Sequence, residues 1–360
     1  MKVAYPHMGY LNIPIAKMLS DLKIETAEVP PISRKTIELG SLYSPEGVCL
    51  PYKINMGNFL EGIERGADAL VTICGAGKCR MGFYNAVQKI TLAEKKQLQF
   101  YTINTDSLFR DLHRFLCTAA PHAGSFSVIK SIVAAIQMLK AIDATNEAKN
   151  FYGARSANPE EIIHIFDNGL QLFRDCRKFS DISRSRNTVI NQMQKITGPT
   201  EIQPAKVALL GEFYVLMEPH VNHRIENLLI KQGIEVKKFA CTGDWVYSKT
   251  LLQTLGFYNE EKDCLSQARP YLNYHVGGEG LKSVGNALAC ARGGYDGVIH
   301  IYPFGCTPEI VAQYALKNIA ADYHMPLLTL SLDEHSSDVG IITRVEAFAD
   351  CIKRKAAQRI

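Results

Sequence analysis

Short unbroken apolar runs, each followed by a helical stretch, mark both ends of the chain, and the middle lacks them. "KVAYPHMGY" reads as a strand running into a loop, the residues through about Leu22 as a helix, and "IETAEV" as a second strand. The order returns from Lys206, where "KVALLGEFYVL" leads to a helix around Asn222 to Gln232 and then to "IEVKKF". Strand, helix, strand is the unit of a parallel sheet.

A second pair of segments strengthens the repeat. "MGNFLEGIERGADALVTI" from Met56 aligns without a gap to "VGNALACARGGYDGVIHI" from Val284, matching Gly57 with Gly285, Asn58 with Asn286, Gly66 with Gly294 and Asp68 with Asp296. Each reads as a helix with an apolar stripe, ended by glycine and followed by a buried strand and a cysteine loop. From about Ala123 to Ile196 the pattern changes to long amphipathic helices, "SVIKSIVAAIQMLKAI" and "PEEIIHIFDNGLQLFRDCRKF". These patterns predict an α/β chain in three parts: an N-terminal α/β domain over 1–120, a helical insert over 121–203 and a C-terminal α/β domain over 204–360. The two α/β domains are expected to be similar parallel-sheet units of Rossmann or flavodoxin kind, facing each other across a cleft lined by loops from the carboxyl ends of both sheets.

Composition narrows the function classes. A formal charge of +4 arises from 40 basic and 36 acidic residues mixed along 360 positions, without the concentrated basic face of a nucleic-acid binder. The opening "MKVAYPHMGYLNIP" has no long apolar core of a signal peptide, and charged residues interrupt the apolar runs, so no membrane span is expected and a cytoplasmic location is. In that compartment ten cysteines do not read as a disulfide framework. Cys176, Cys290 and Cys351, set in helical patterns, read as small buried hydrophobes.

Three other cysteines fall in loops at strand ends. Cys49 lies in "YSPEGVCLPYK" between two prolines, Cys79 closes the "CGAGKC" turn ahead of a helix expected near Arg80, and Cys306 lies in "IHIYPFGCTPEI". There Thr307 suits the N-cap, Pro308 the first helical position and Glu309 the first turn. Helix N-termini lower thiol pKa values, which favours Cys79 and Cys306 as thiolates, the metal-binding form. Structural zinc takes close cysteine pairs, and the only such pair is Cys74 with Cys79, so dispersed thiolates suit iron and sulfide better. Zinc, iron–sulfur and unrelated structural thiols all remain open on the residues alone. "GAGKCR" lacks the spacing and the hydroxyl of a phosphate-binding loop, so any ATP chemistry belongs to a partner.

The segments "PEGVCLPYKINMGNFLEGIERGAD", "CGAGKCRMGFY", "KVALLGEFYVLMEPHVN", "ARPYLNYHVGGEG", "DGVIHIYPFGCTPEI" and "LDEHSSDVGIITRVEAFAD" together resemble the 2-hydroxyacyl-CoA dehydratase and benzoyl-CoA reductase superfamily, most closely its branch of activase-associated and double-cubane cluster proteins. The resemblance spans nearly the whole chain except the helical insert. It implies a low-potential iron–sulfur protein holding a 4Fe–4S or double-cubane 8Fe–9S cluster, reduced by a separate activator ATPase with its own 4Fe–4S cluster. It further implies an acyl-CoA or other small-molecule substrate and a dimeric assembly. The family's ligands fall on Cys49, Cys79 and Cys306. Cys74 fits as an additional one, and Cys117, Cys241 and Cys264 are available for a second cubane.

Other polar residues carry two readings each. Asp333, Glu334 and His335 follow the strand "MPLLTLSL", where Glu334 and His335 are candidates for proton supply, or else part of a solvated loop capping a helix near Ile341. Arg80 and Glu309 are candidates beside the cluster, Arg80 offsetting its negative charge or forming a surface ion pair. His7, Tyr10 and Glu212, after the first strand of each half, face the same choice. The leading expectation is an iron–sulfur protein that performs or relays ATP-driven electron transfer, as a reductase or dehydratase component. The alternatives are a non-catalytic iron–sulfur scaffold or accessory subunit, and a zinc-stabilised binding protein.

Overall fold

The computed structural model describes residues 1–75, 79–95, 97–199, 203–239, 246 and 260–357. Two compact units divide the chain, with a boundary at Gln137 and Met138. The first contains β1 (Lys2–Ala4), β2 (Glu25–Thr26), β3 (Ala69–Cys74) and β4 (Gln99–Asn104), all parallel, in the order β2-β1-β3-β4. The second contains β5 (Lys206–Gly211), β6 (Glu235–Lys238), β7 (Gly297–Pro303) and β8 (Leu327–Leu332), again parallel, in the order β6-β5-β7-β8. The protein is thus α/β with two four-stranded parallel sheets of the same topology. In each, strand order reverses between the first and third strands, at β1 and β3 or β5 and β7, and open α/β sheets bind ligands at the carboxyl ends of those strands.

Unbroken apolar runs become these strands because both sheet faces are covered. Val3, Ala69 and Val71 point into one core with Phe115 and Leu116, while Ala4 and Leu70 point into the other with Tyr52, Met56 and Phe59. The alternation follows the two-residue period of a strand. In the second unit, Ala208, Leu210 and Val298 share a core with Leu281, Val284, Leu288 and Ala312.

The aligned segments occupy equivalent places. Helices Leu50–Glu64 and Gly280–Arg292 feed β3 and β7 respectively. Between helix and strand, Gly66 (φ 89°) and Gly294 (φ 75°) adopt the left-handed conformation that glycine takes without a Cβ penalty. The Lys2 N–H donates to Asp68 Oδ1 at 2.7 Å, and the Lys206 N–H to Asp296 Oδ2 at 2.8 Å. The Asp68 N–H returns a bond to the Lys2 carbonyl at 3.0 Å, and the Asp296 N–H one to the Lys206 carbonyl at 2.8 Å. The same aspartate therefore ties the first strand of each sheet to the third.

Over the central region the structure has helices Ser125–Gly153, Pro159–Arg174 and Phe179–Thr197. The run expected as one helix from Pro159 to Phe179 divides after Arg174, where Asp181 side-chain oxygen accepts the N–H groups of Arg177 and Lys178 and starts the next helix. Ser125–Gly153 is long and apolar enough by length and composition to cross a membrane, contrary to the expectation that no window would be. Its polar residues Thr145, Asn146, Lys149 and Asn150 are buried, and Asn146 and Asn150 both donate to Glu226, at 2.8 and 2.7 Å. That part of the helix is core of the second unit.

Candidate functional site

In the first unit the carboxyl edge of β3 carries the predicted thiols. Cys74 ends the strand and is buried. Burial pushes its thiol pKa up, and the nearby carboxylates of Asp111 and Asp106 add to the rise, so its surroundings favour the protonated thiol. Cys79, half-buried, is the N-cap of a single 3-10 turn, Arg80–Phe83, and the regular helix expected near Arg80 starts at Tyr84 and runs to Ala93. Cys49, buried, is the N-cap of helix Leu50–Glu64, with Pro51 in its first turn.

Two contacts stitch the Cys49 and Cys79 loops together. Arg80 donates from Nη1 to the Gly47 carbonyl at 2.6 Å, and Tyr84 Oη lies 2.6 Å from Cys49 Sγ. The Tyr84 ring in turn stands edge-on to Tyr52 at 5.0 Å. Thus Arg80, expected to neutralise a cluster or pair on the surface, bonds to a backbone carbonyl of the neighbouring cysteine loop.

In the second unit Cys306 is buried and is itself the N-cap of helix Thr307–Asp322; Thr307, expected as the cap, is the first helical residue. None of Cys49, Cys79 and Cys306 spends its sulfur on the first-turn N–H groups of the helix or turn it caps. Sequence reading singled out these three thiols by their loops. The structure adds that Cys49 and Cys306 sit at the N-termini of regular helices, whose dipole favours a thiolate, and that Cys79 precedes a single 3-10 turn.

Glu309, in the first turn after Cys306, is fully buried with Oε2 2.8 Å from Nε2 of His300, itself fully buried on β7 and stacked on Tyr302 with ring centroids 5.0 Å apart. Across the switch point, Glu212 follows Gly211 and caps helix Phe213–Met217, accepting the N–H groups of Tyr214 and Val215 at 3.1 and 3.0 Å. Burial raises the Glu212 carboxyl to about 7, with help from Glu309 and Glu279 and against the two amide bonds. Gly211 has φ 137°, and a Cβ there would fall 1.8 Å from the Ile301 carbonyl oxygen. Only glycine lets β5 deliver Glu212 this close to β7. His300 was not among the residues singled out from sequence; a lone imidazole inside the apolar strand "GVIHIYP" is the signal that finds it, since a buried polar group needs a partner.

The remaining sequence candidates lie elsewhere. Glu334 and His335 form a turn after the edge strand β8, with His335 exposed and donating its N–H to Asp333 Oδ1 at 2.9 Å; the following helix starts at Asp338. His7 bonds through Nε2 with the Val29 carbonyl at 2.9 Å, and its N–H donates to Asn58. Tyr10 lies in a 3-10 turn, Gly9–Leu11. Cys117 sits 3.7 Å from His113 Nε2 on helix Leu108–Ala119, and Cys264 is half-buried on helix Glu260–Ala268. Cys241 lies outside the described residues. Cys176 and Cys290 are buried as expected, the latter's thiol pushed by burial up to about 12, whereas Cys351 is exposed.

Among the described residues no three histidine, cysteine, aspartate or glutamate side chains gather closely enough to hold a metal ion. No family model matches the chain, and no curated protein matches it.

Proposed function

We propose that the protein is an iron–sulfur protein that performs or relays low-potential electron transfer, with Cys49, Cys79 and Cys306 as cluster ligands. The observation that carries this reading is the repeated cysteine cap: three thiols at helix or turn N-termini, none bonded to its own first turn, two of them on loops joined by Arg80 and Tyr84. At Cys49 and Cys306 a thiolate is stabilised by the dipole of a regular helix and bears the charge that binds iron. Cys74 is the weaker candidate, because its neighbours oppose ionisation. The resemblance to the 2-hydroxyacyl-CoA dehydratase and benzoyl-CoA reductase superfamily supports a 4Fe–4S or double-cubane cluster, an activator ATPase as electron donor, a small-molecule or acyl-CoA substrate and a dimer.

This chain's own groups would hold the thiolates in place, Tyr84 by its contact with Cys49 and Arg80 by tying the Cys79 turn to Gly47. The cluster, when bound, supplies one-electron chemistry. The reading is tested by anaerobic purification with iron and acid-labile sulfide analysis, followed by reduction with a purified activator ATPase. Reduction that needs both activator and ATP supports it, whereas equally fast reduction without either rejects the ATP-driven relay.

A further inference from the structure

We propose that half-buried Glu212 and the buried pair His300 and Glu309 form a proton-exchange site at the carboxyl edge of the second sheet, able to give a proton to a reactant held there and to regain it from solvent. The inference stands whether or not Cys306 binds iron. Its first support is burial: His300 and Glu309 have no exposed surface and share one hydrogen bond, with its proton on Nε2 or Oε2. Its second is that, among the described residues, each keeps one polar atom without a hydrogen-bond partner, Nδ1 of His300 and Oε1 of Glu309. A pair assembled only for stability would satisfy both, since an unpartnered buried polar atom costs about 1–3 kcal/mol. These two atoms can still accept or donate, which suits a site that changes its proton count.

The third support is position. Glu212 leaves β5 and Glu309 follows β7, the two strands flanking the switch point where a reactant of this fold class would sit. Among the described residues, Glu309 from the helix after β7 and Glu279 from the start of helix Gly280–Arg292 act on Glu212, which in turn acts on Tyr214 of its own helix; Lys282 is 2.8 Å from Glu279 and offsets part of that charge. Burial, with Glu309 and Glu279 adding to it, raises the Glu212 carboxyl to about 7, so that it exchanges its proton around neutral pH. In the exchange, the Glu212 O–H bond breaks, its electron pair stays on the carboxylate, and the proton passes to the reactant.

The test uses infrared spectroscopy of the full-length protein carrying isotope-labelled glutamate, titrated through neutral pH. A protonated-carboxyl band that shifts in deuterium oxide, titrates near neutrality and is lost in Glu212→Gln is expected. In Glu309→Gln the band should titrate at lower pH, because the neighbouring charge is gone; this variant decides the assignment if Glu212→Gln does not fold. Absence of any protonated glutamate near neutral pH in the unmodified protein overturns the proposal, as does a band unchanged in both variants. The measurement needs no iron, so its failure leaves the cluster reading standing, and failure of iron analysis leaves the proton site standing.

Discussion

Tyr84 places its phenol oxygen 2.6 Å from the sulfur of Cys49, joining two loops at one edge of the first sheet. The contact buries a thiol against a hydroxyl and ties the Cys49 cap to the helix that follows Cys79. Tyr84→Phe keeps the ring and its packing on Tyr52 but removes that oxygen. Denaturant unfolding should show a loss of about 0.5–1.5 kcal/mol, the usual net worth of one hydrogen bond. Alkylation of Cys49 in the folded protein should become faster, as read by mass spectrometry of the labelled peptide; an unchanged rate contradicts the constraint.

Gly211 carries the equivalent role in the second sheet by close approach. Gly211→Ala places a methyl 1.8 Å from the Ile301 oxygen at a backbone angle that alanine rarely adopts. The strands must separate or the turn must distort, at a cost of about 1–3 kcal/mol. A thermal unfolding midpoint equal to that of the unmodified protein would show that β5 tolerates the displacement.

The polar network on the long central helix predicts a pH dependence with two branches. Burial alone would raise Glu226, but Lys238 and Lys149, then Asn150 and Asn146, outweigh it and hold the carboxyl at about 2. The unfolded state takes up this proton first as pH falls below about 4.5, so stability is lost from there down to about 2. Lys149 is the opposite case: burial lowers it to about 8 from its ordinary 10.5, and the unfolded chain holds more protons between those values, so stability rises with pH across that window. Glu226→Gln should cost about 3–5 kcal/mol near neutrality, because it leaves two buried lysines without their anion, and should flatten the acid branch. Denaturant midpoints measured across pH check both signs.

Much of the architecture is written in the apolar runs. "KVALL" and "ALVTI" are unbroken because parallel strands are covered on both faces, and the matched Gly-x-Asp segments mark the same helix-to-strand turn in each unit. The strand Gln99–Asn104 was not legible. Its sequence "QFYTIN" is an edge strand with only Ile103 fully buried, so it lacks an apolar run. The break after Arg174 is equally unmarked, because no glycine or proline lies there and Asp181 makes the new start from six residues downstream of Asp175.

The candidate site divides in the same way. Proline and glycine around Cys49, Cys79 and Cys306 show that these thiols lie in loops, which local sequence can tell. That Arg80 reaches Gly47, or that His300 finds Glu309, depends on strand order and helix placement, which no local pattern encodes. Glu212 is a candidate from its place after the first strand of the second half, but the influence of Glu309 on it depends on the fold.

Metal analysis of anaerobically purified protein decides whether the cysteine caps hold iron and sulfide. Iron and acid-labile sulfide in comparable amounts are expected, with an EPR signal on reduction, and each of Cys49→Ser, Cys79→Ser and Cys306→Ser should lower the iron content while circular dichroism shows an intact fold. Full iron occupancy with an unchanged EPR spectrum in all three variants, or protein that binds zinc or no metal at all, would rule out these cysteines as iron–sulfur ligands.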